Sequence, residues 1–290
     1  MTTKTIYARD AKICVLTGAT SGIGRAAAFQ LAGISAQLIL LSRNASKGRE
    51  VAAKINSSLG LEKVLFIQTD LSRLSEVRDA ANQIKKRCPR IDILINNAGA
   101  RFNDFNKNDD GIELTFATNH LGHFLLTRLL ADHLEKSAGA RIITVASDVH
   151  RGYSADFDYI KCAGAYDRKA AYGRSKLANI LFTYELARRL AGTRTTANAL
   201  HPGGVATCLG KNNGMISWLK HIAYYTMKRR LIFPAKAAEA ITYLALSDEV
   251  QGVTGKYFYN NKQIQSSDMS YDKEAAQMLW DLSLRLCNAK

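Results

Sequence analysis

Seven short runs of mostly apolar residues recur along the chain, separated by longer stretches with a helical rhythm of apolar and polar positions. The runs are KICVLT at 12–17, QLILLS at 37–42, VLFIQ at 64–68, IDILI at 91–95, RIITV at 141–145, TANAL at 196–200 and KYFY at 256–259. Runs that are apolar at nearly every position, rather than every second one, suit strands buried on both faces. The intervening segments are rich in Ala, Leu, Lys and Glu and read as helices. This alternation predicts an α/β fold: a doubly wound parallel sheet of about seven strands, flanked by helices. No internal repeat, linker or low-complexity block divides the 290 residues, so 1–290 reads as a single domain.

Composition narrows the function. Hydrophobic residues make up 47% of the chain, ample for a large core. No apolar run approaches the ~18 residues of a membrane span. The stretch 1–10 is polar and lacks the apolar centre of a signal peptide, so a cytoplasmic location is expected. Five dispersed cysteines fit reduced thiols better than a disulfide framework or a metal site. The net charge of +15 admits several readings. No nucleic-acid recognition motif accompanies it, so nucleic acid is not an expected partner. Solubility, attraction to an anionic membrane surface and steering of a phosphate-rich cofactor are the others.

The first apolar run ends in Thr17-Gly18-Ala19-Thr20-Ser21-Gly22-Ile23-Gly24, followed by Arg25-Ala26-Ala27-Ala28. Glycines let backbone approach a pyrophosphate closely, and a helix N-terminus offers it free N–H groups. After the first strand of an alternating chain, this turn predicts a dinucleotide-binding Rossmann fold. The second strand ends in Leu41-Ser42-Arg43-Asn44, with no acidic residue before Glu50. An NAD site usually places Asp or Glu there for the ribose 2′-hydroxyl, whereas Arg43 can grip a 2′-phosphate. The expected cofactor is NADP. The third strand runs into Thr69-Asp70-Leu71-Ser72. The Asp70 carboxylate is placed to accept from the adenine amino group, and Ser72 is the expected N-cap of the next helix. Small residues in Asn96-Asn97-Ala98-Gly99 leave room beside the nicotinamide ribose.

Tyr172 and Lys176 stand four residues apart on one helix face. A phenol titrates near pH ~10, and a neighbouring ammonium favours its ionised form, bringing proton exchange toward the neutral range.

Together Thr17-Gly18-x-x-x-Gly22-Ile23-Gly24, Asn96-Asn97-Ala98-Gly99, Asn119, Ser147, Tyr172-x-x-x-Lys176 and Pro202-Gly203 resemble the short-chain dehydrogenase/reductase family. The segments DGIEL at 110–114, NHLGHFLLT at 119–127, SKLANIL at 175–181 and GVTGKY at 252–257 are similar to its retinol dehydrogenase-like branch. The resemblance implies an NADP(H)-dependent oxidoreductase that interconverts a carbonyl and an alcohol, with a lipophilic small molecule as substrate. It implies Tyr172 as general acid or base and Ser147 as hydrogen-bond donor to the substrate oxygen. Lys176 would lower the Tyr172 pKa and bind the nicotinamide ribose, and Asn119 would hold a water linking Lys176 to solvent. Cofactor contacts carried over are Gly18, Thr20, Ser21, Gly22, Ile23, Gly24, Arg43, Asn44, Asp70, Leu71, Asn97, Ala98, Gly99, Tyr172, Lys176, Pro202, Gly203, Val205 and Thr207. His120, His123 and His150 have no metal-ligand spacing and are expected to be structural or rim residues. A substrate lid is expected over about 208–235, where Trp218, Ile222, Tyr225 and Arg229 recur at helical spacing with a basic rim. Peripheral membrane contact and oligomerisation stay open. The rival reading is a catalytically idle NADP-binding regulator, which would have no need of an intact Ser147, Tyr172 and Lys176.

Overall fold

The apolar runs pair side by side because continuous hydrophobic strands bury both faces only inside a helix-covered sheet. The computed structural model describes residues 12–161, 166–205 and 231–288. Strands β1 (Lys12–Thr17), β2 (Ser35–Ser42), β3 (Val64–Gln68), β4 (Ile93–Asn96), β5 (Arg141–Val145), β6 (Thr196–Leu200), β9 (Tyr257–Tyr259) and β10 (Lys262–Ile264) form one sheet. Its order is β10-β9-β6-β5-β4-β1-β2-β3. A second, two-stranded sheet joins β7 (Gly204–Val205) to β8 (Leu231–Ile232) in parallel.

Helices α1 (Gly22–Ala32), α2 (Ala45–Leu59) and α8 (Pro234–Leu246) pack with Leu16, Leu38, Leu40 and Ile95 on one face. The other face carries α3 (Leu74–Arg87), α5 (Gly122–Leu129), α7 (Arg168–Arg189) and α9 (Lys273–Leu286) over Val15, Ile39, Leu94 and Ile142. Short helices α4 (Leu114–Phe116) and α6 (Ala131–Glu135) flank α5, with a π-helical turn at Ala117–Leu121. Because β1 lies between β2 and β4, successive crossovers diverge there. A crevice opens at the carboxyl ends of those strands, which is where such sheets bind ligands. Among the described residues no helix is long and apolar enough to cross a membrane.

The sheet differs from the expectation in one respect: it has eight strands, and the eighth is antiparallel. Asn260 and Asn261 hold φ of 48° and 61°, the paired left-handed conformation of a tight hairpin that Asn tolerates. The strand it returns, Lys262–Ile264, is short and partly polar, so no apolar run announces it. The N-terminus of α3 also departs: its N-cap is Arg73, without a side-chain cap, not Ser72. Ser72 instead turns its N–H and Oγ–H onto the Asp70 carboxylate, at 3.0 and 2.8 Å. Of the expected lid over about 208–235, residues 208–230 with Trp218, Ile222, Tyr225 and Arg229 lie outside the described residues, and its described end holds strand β8 and the start of α8.

Candidate active site

The turn after β1 is shaped by steric exclusion. Gly18 and Gly22 adopt φ of 73° and 53°, a region costly for any residue with a Cβ. A Cβ on Gly24 would lie 2.2 Å from the Gly18 carbonyl oxygen, so α1 can start this close to β1 only with glycine there. Ser21 is the N-cap of α1 but its side chain makes no cap bond, and the first turn holds no acidic residue. That helix end is open to an anion. Thr20, Ser21 and Ile23 border it, partly or fully exposed.

Thr17 joins this turn to β4. Its Oγ1 accepts from the N–H groups of Asn97 and Ala98, at 2.9 and 3.0 Å. The Asn97 side chain donates to the Thr17 carbonyl at 2.8 Å, so that amide braces the turn. His123 completes the knot. Its Nδ1 lies 2.9 Å from the Asn119 carbonyl oxygen, which can only accept, and its Nε2 lies 2.9 Å from Thr17 Oγ1. Burial holds this imidazole down to about 3, so it is neutral, with its proton on Nδ1. Thr17 and His123 were not among the site residues expected from sequence. The partners that give them meaning are 80 and 106 residues away from Thr17.

At the outer end of β2 and β3, Arg43 and Asp70 face each other at 4.0 Å. They line a cavity of about 210 Å³ with Ser72, Arg73, Phe102 and Leu114. The Arg43 side chain is 60% exposed, free to turn onto a ligand. Asn44 is spent as the N-cap of α2, accepting from Lys47 N–H at 2.9 Å. Leu71 is buried, and its carbonyl lies where a Cβ on Gly122 would come within 2.3 Å.

The chemistry-bearing side chains meet at the ends of β4 and β5. Lys176 is fully enclosed on α7, donates from Nζ to the Val145 carbonyl at 3.0 Å, and sits 5.7 Å from the centroid of the Tyr172 ring. Desolvation pushes its ammonium down to about 8. Gly99 lies beside it, where a Cβ would be in ordinary contact with Lys176 Nζ at 3.4 Å. Ser147 follows two residues after the Val145 carbonyl, half-buried, its Oγ accepting a long 3.5 Å bond from Val149 N–H among the described residues. Asn119 lies in the π-helical turn. Its amide accepts from Ala100 N–H at 2.7 Å and donates to Ala100 O and Ser175 Oγ at 2.9 and 3.0 Å. Protein atoms thus satisfy both ends of this amide. Ser175 in turn donates to the Tyr172 carbonyl at 2.7 Å, which ties Asn119 to the Tyr172 turn. His120, His123 and His150 are buried, as expected for structural residues. Gly203 holds φ of 83° between β6 and β7, beside Pro202, with buried Val205 in β7; Thr207 lies outside the described residues.

The glycine cradle, the open helix end and the Arg43–Asp70 cavity fit a dinucleotide laid across the sheet. Comparison with known proteins agrees. The family model for short chain dehydrogenases matches residues 12–215. The chain is 38% identical to human retinol dehydrogenase 14, covering 94% of this chain and 85% of that one. It is 35% identical to human polyprenol dehydrogenase, covering 96% and 86%. A solved short chain dehydrogenase from Shigella flexneri, complexed with NADP, superposes with a TM-score of 0.66 at 26% identity, covering 87% of this chain and 97% of that one. The chain is an oxidoreductase of the short-chain dehydrogenase family and belongs to its retinol dehydrogenase-like branch.

Proposed function

We propose that this oxidoreductase uses NADP(H) to interconvert a carbonyl and an alcohol on a lipophilic small molecule, with Tyr172 as its general acid and base. The observation that carries the reading is the enclosed Lys176, 5.7 Å from the Tyr172 ring and bonded to the strand that delivers Ser147. A cation this close makes the Tyr172 phenol a better proton donor. Ser147 Oγ–H hydrogen-bonds the substrate oxygen and stabilises the charge that grows there during reduction. Tyr172 then gives that oxygen its phenolic proton; in the oxidative direction it takes the proton back. NADPH, when bound, supplies the hydride for reduction. The N–H groups at the start of α1 would hold its pyrophosphate, Arg43 its 2′-phosphate and Asp70 its adenine amino group. The lipophilic substrate class is supported by the names of two relatives, a retinol and a polyprenol dehydrogenase.

The test is a screen of lipophilic aldehydes, ketones and alcohols with both nicotinamide cofactors. NADPH-dependent turnover is expected. Tyr172→Phe should lower kcat by about 10²–10⁴-fold, the usual worth of general acid catalysis, with NADPH affinity kept. NADPH binding without turnover on any substrate would overturn the enzymatic reading in favour of an idle regulator.

A further inference from the structure

His150 is fully enclosed, three residues after Ser147, yet it takes no part in the chemistry proposed above. Its Nδ1 lies 2.7 Å from the Ser147 carbonyl oxygen, and its Nε2 lies 3.0 Å from the backbone nitrogen of Ser267. A carbonyl oxygen can only accept and a backbone N–H can only donate. The ring is therefore a neutral imidazole with its proton on Nδ1, bound at both nitrogens. It bridges two backbone groups from distant parts of the chain, 117 residues separating His150 from Ser267. Tyr257 packs edge-on against it, centroids 5.3 Å apart.

The Ser267 end of this bridge is itself anchored. Ser266 Oγ meets Tyr184 Oη at 2.8 Å and Ser270 Oγ at 2.6 Å. Ser270 Oγ–H donates to the Ser267 carbonyl at 2.5 Å, and Ser266 N–H donates to Tyr271 Oη at 3.2 Å. Tyr271 stacks on Tyr184 at 5.3 Å. Tyr184 stands on α7, about three turns beyond Tyr172. One helix thus carries Tyr172 and docks the 266–271 segment, which reaches back through His150 to Ser147.

We propose that His150 is a positioning residue for Ser147, and that the 266–271 segment forms part of the frame of the reaction site. The inference rests on the reading of Ser147 as the donor to the substrate oxygen. Ser147 needs such a device, because among the described residues its hydroxyl accepts a long bond, 3.5 Å from Val149 N–H. The residue's carbonyl takes both the His150 backbone N–H, at 3.2 Å, and the ring Nδ1–H. The ring bond fixes the rotation of that peptide relative to α7. A misplacement of about 1 Å costs on the order of 100-fold in rate, so losing the bridge acts on turnover rather than on cofactor binding.

Two substitutions divide the bridge. His150→Asn keeps a donor near the Nδ1 position and gives up the Ser267 contact. His150→Gln reaches the Nε2 position and gives up the Ser147 contact. With a turned-over carbonyl substrate, kcat, KM, NADPH affinity and thermal midpoint are measured for both, alone and in a Ser147→Ala background. The expected result is a fall in kcat of about 10- to 100-fold for His150→Gln and a smaller fall for His150→Asn, with NADPH affinity within about twofold. In the Ser147→Ala background His150→Gln should lower the residual rate by less than about twofold, because there is no hydroxyl left to position. Unchanged kcat in both single variants overturns the proposal, and so does a full multiplicative loss in the Ser147→Ala background. Normal turnover by Ser147→Ala alone refutes the role of Ser147, and with it this inference, and is distinguishable from the other two failures.

Discussion

At Lys176 burial and chemistry pull in opposite directions. The enclosed ammonium is held down to about 8 from 10.5, so the fold disfavours the charge that Tyr172 needs. The depressed value makes the cost fully present below pH 8, relieved as pH rises from about 8 toward 10.5. That shift corresponds to about 3 kcal/mol, and the lost bond to Val145 O to about 1 kcal/mol. Lys176→Met should therefore abolish turnover yet stabilise the chain by about 2 kcal/mol at pH 7, raising its thermal midpoint. A lowered midpoint would show that the Val145 bond outweighs the desolvation. The same sign predicts that carbonyl reduction weakens above pH 8 as Lys176 loses its proton. Arg43 poses a simpler question of charge. Its exposed guanidinium beside Asp70 should favour NADPH over NADH by at least about tenfold, equivalent to ~1.4 kcal/mol. Arg43→Asp should reverse the preference, and equal kcat/KM for both cofactors in the unmutated chain would remove the assignment.

Among the elements, α7 is the most constrained. Gly173 follows Tyr172 because the Tyr153 ring occupies the space a Cβ needs, with a contact of 2.0 Å if one were added. Alanine would gain about 1 kcal/mol in helix propensity, while overpacking of this severity costs about 1–3 kcal/mol. Overpacking wins. Gly173→Ala should lower the thermal midpoint and turnover together, and a second substitution, Tyr153→Ala, should restore the midpoint but not penalise the helix again. Full stability of Gly173→Ala alone would mean that Tyr153 can swing aside freely. All seven strands expected from apolar runs start and stop where expected or within two residues, since a buried strand writes its burial into every position. The runs at 91–95 and 256–259 lose their first residues to loops that hold Asp92 and Lys256. The hairpin strand at Lys262–Ile264 is not announced by an apolar run, and the Arg73 cap of α3 not by a side chain suited to capping.

The whole molecule carries a pH liability in its histidines. His120 and His123 are both fully enclosed and both held down to about 3, by desolvation first and then by neighbouring charge: His123 beside His120, Lys176 beside His123. A value depressed in the fold means that the unfolded chain binds the extra protons. Their contribution is intact above pH ~6.5 and is lost as pH falls toward 3, at about 1.4 kcal/mol per unit per ring. At pH 5 the two together remove roughly 4 kcal/mol, a large share of a typical 5–15 kcal/mol. The thermal midpoint should drop steeply between pH 6.5 and 4.5, and less steeply in His123→Gln. Equal slopes in both proteins would show that His123 does not titrate on unfolding.

The sequence alone determined the layered α/β architecture, the glycine cradle, the Arg43 environment and the Tyr172–Lys176 pairing. Each of these is written locally, in runs, spacings and missing side chains that act within a few residues. Tertiary structure alone decided which hydroxyl meets which carbonyl. Thr17 finds His123, Asn119 closes on Ala100 and Ser175, and His150 joins Ser147 to Ser267. The bonds that cross the chain here span 19 to 117 residues, and a hydrogen bond depends on angles and distances of tenths of an ångström that no spacing in the chain encodes.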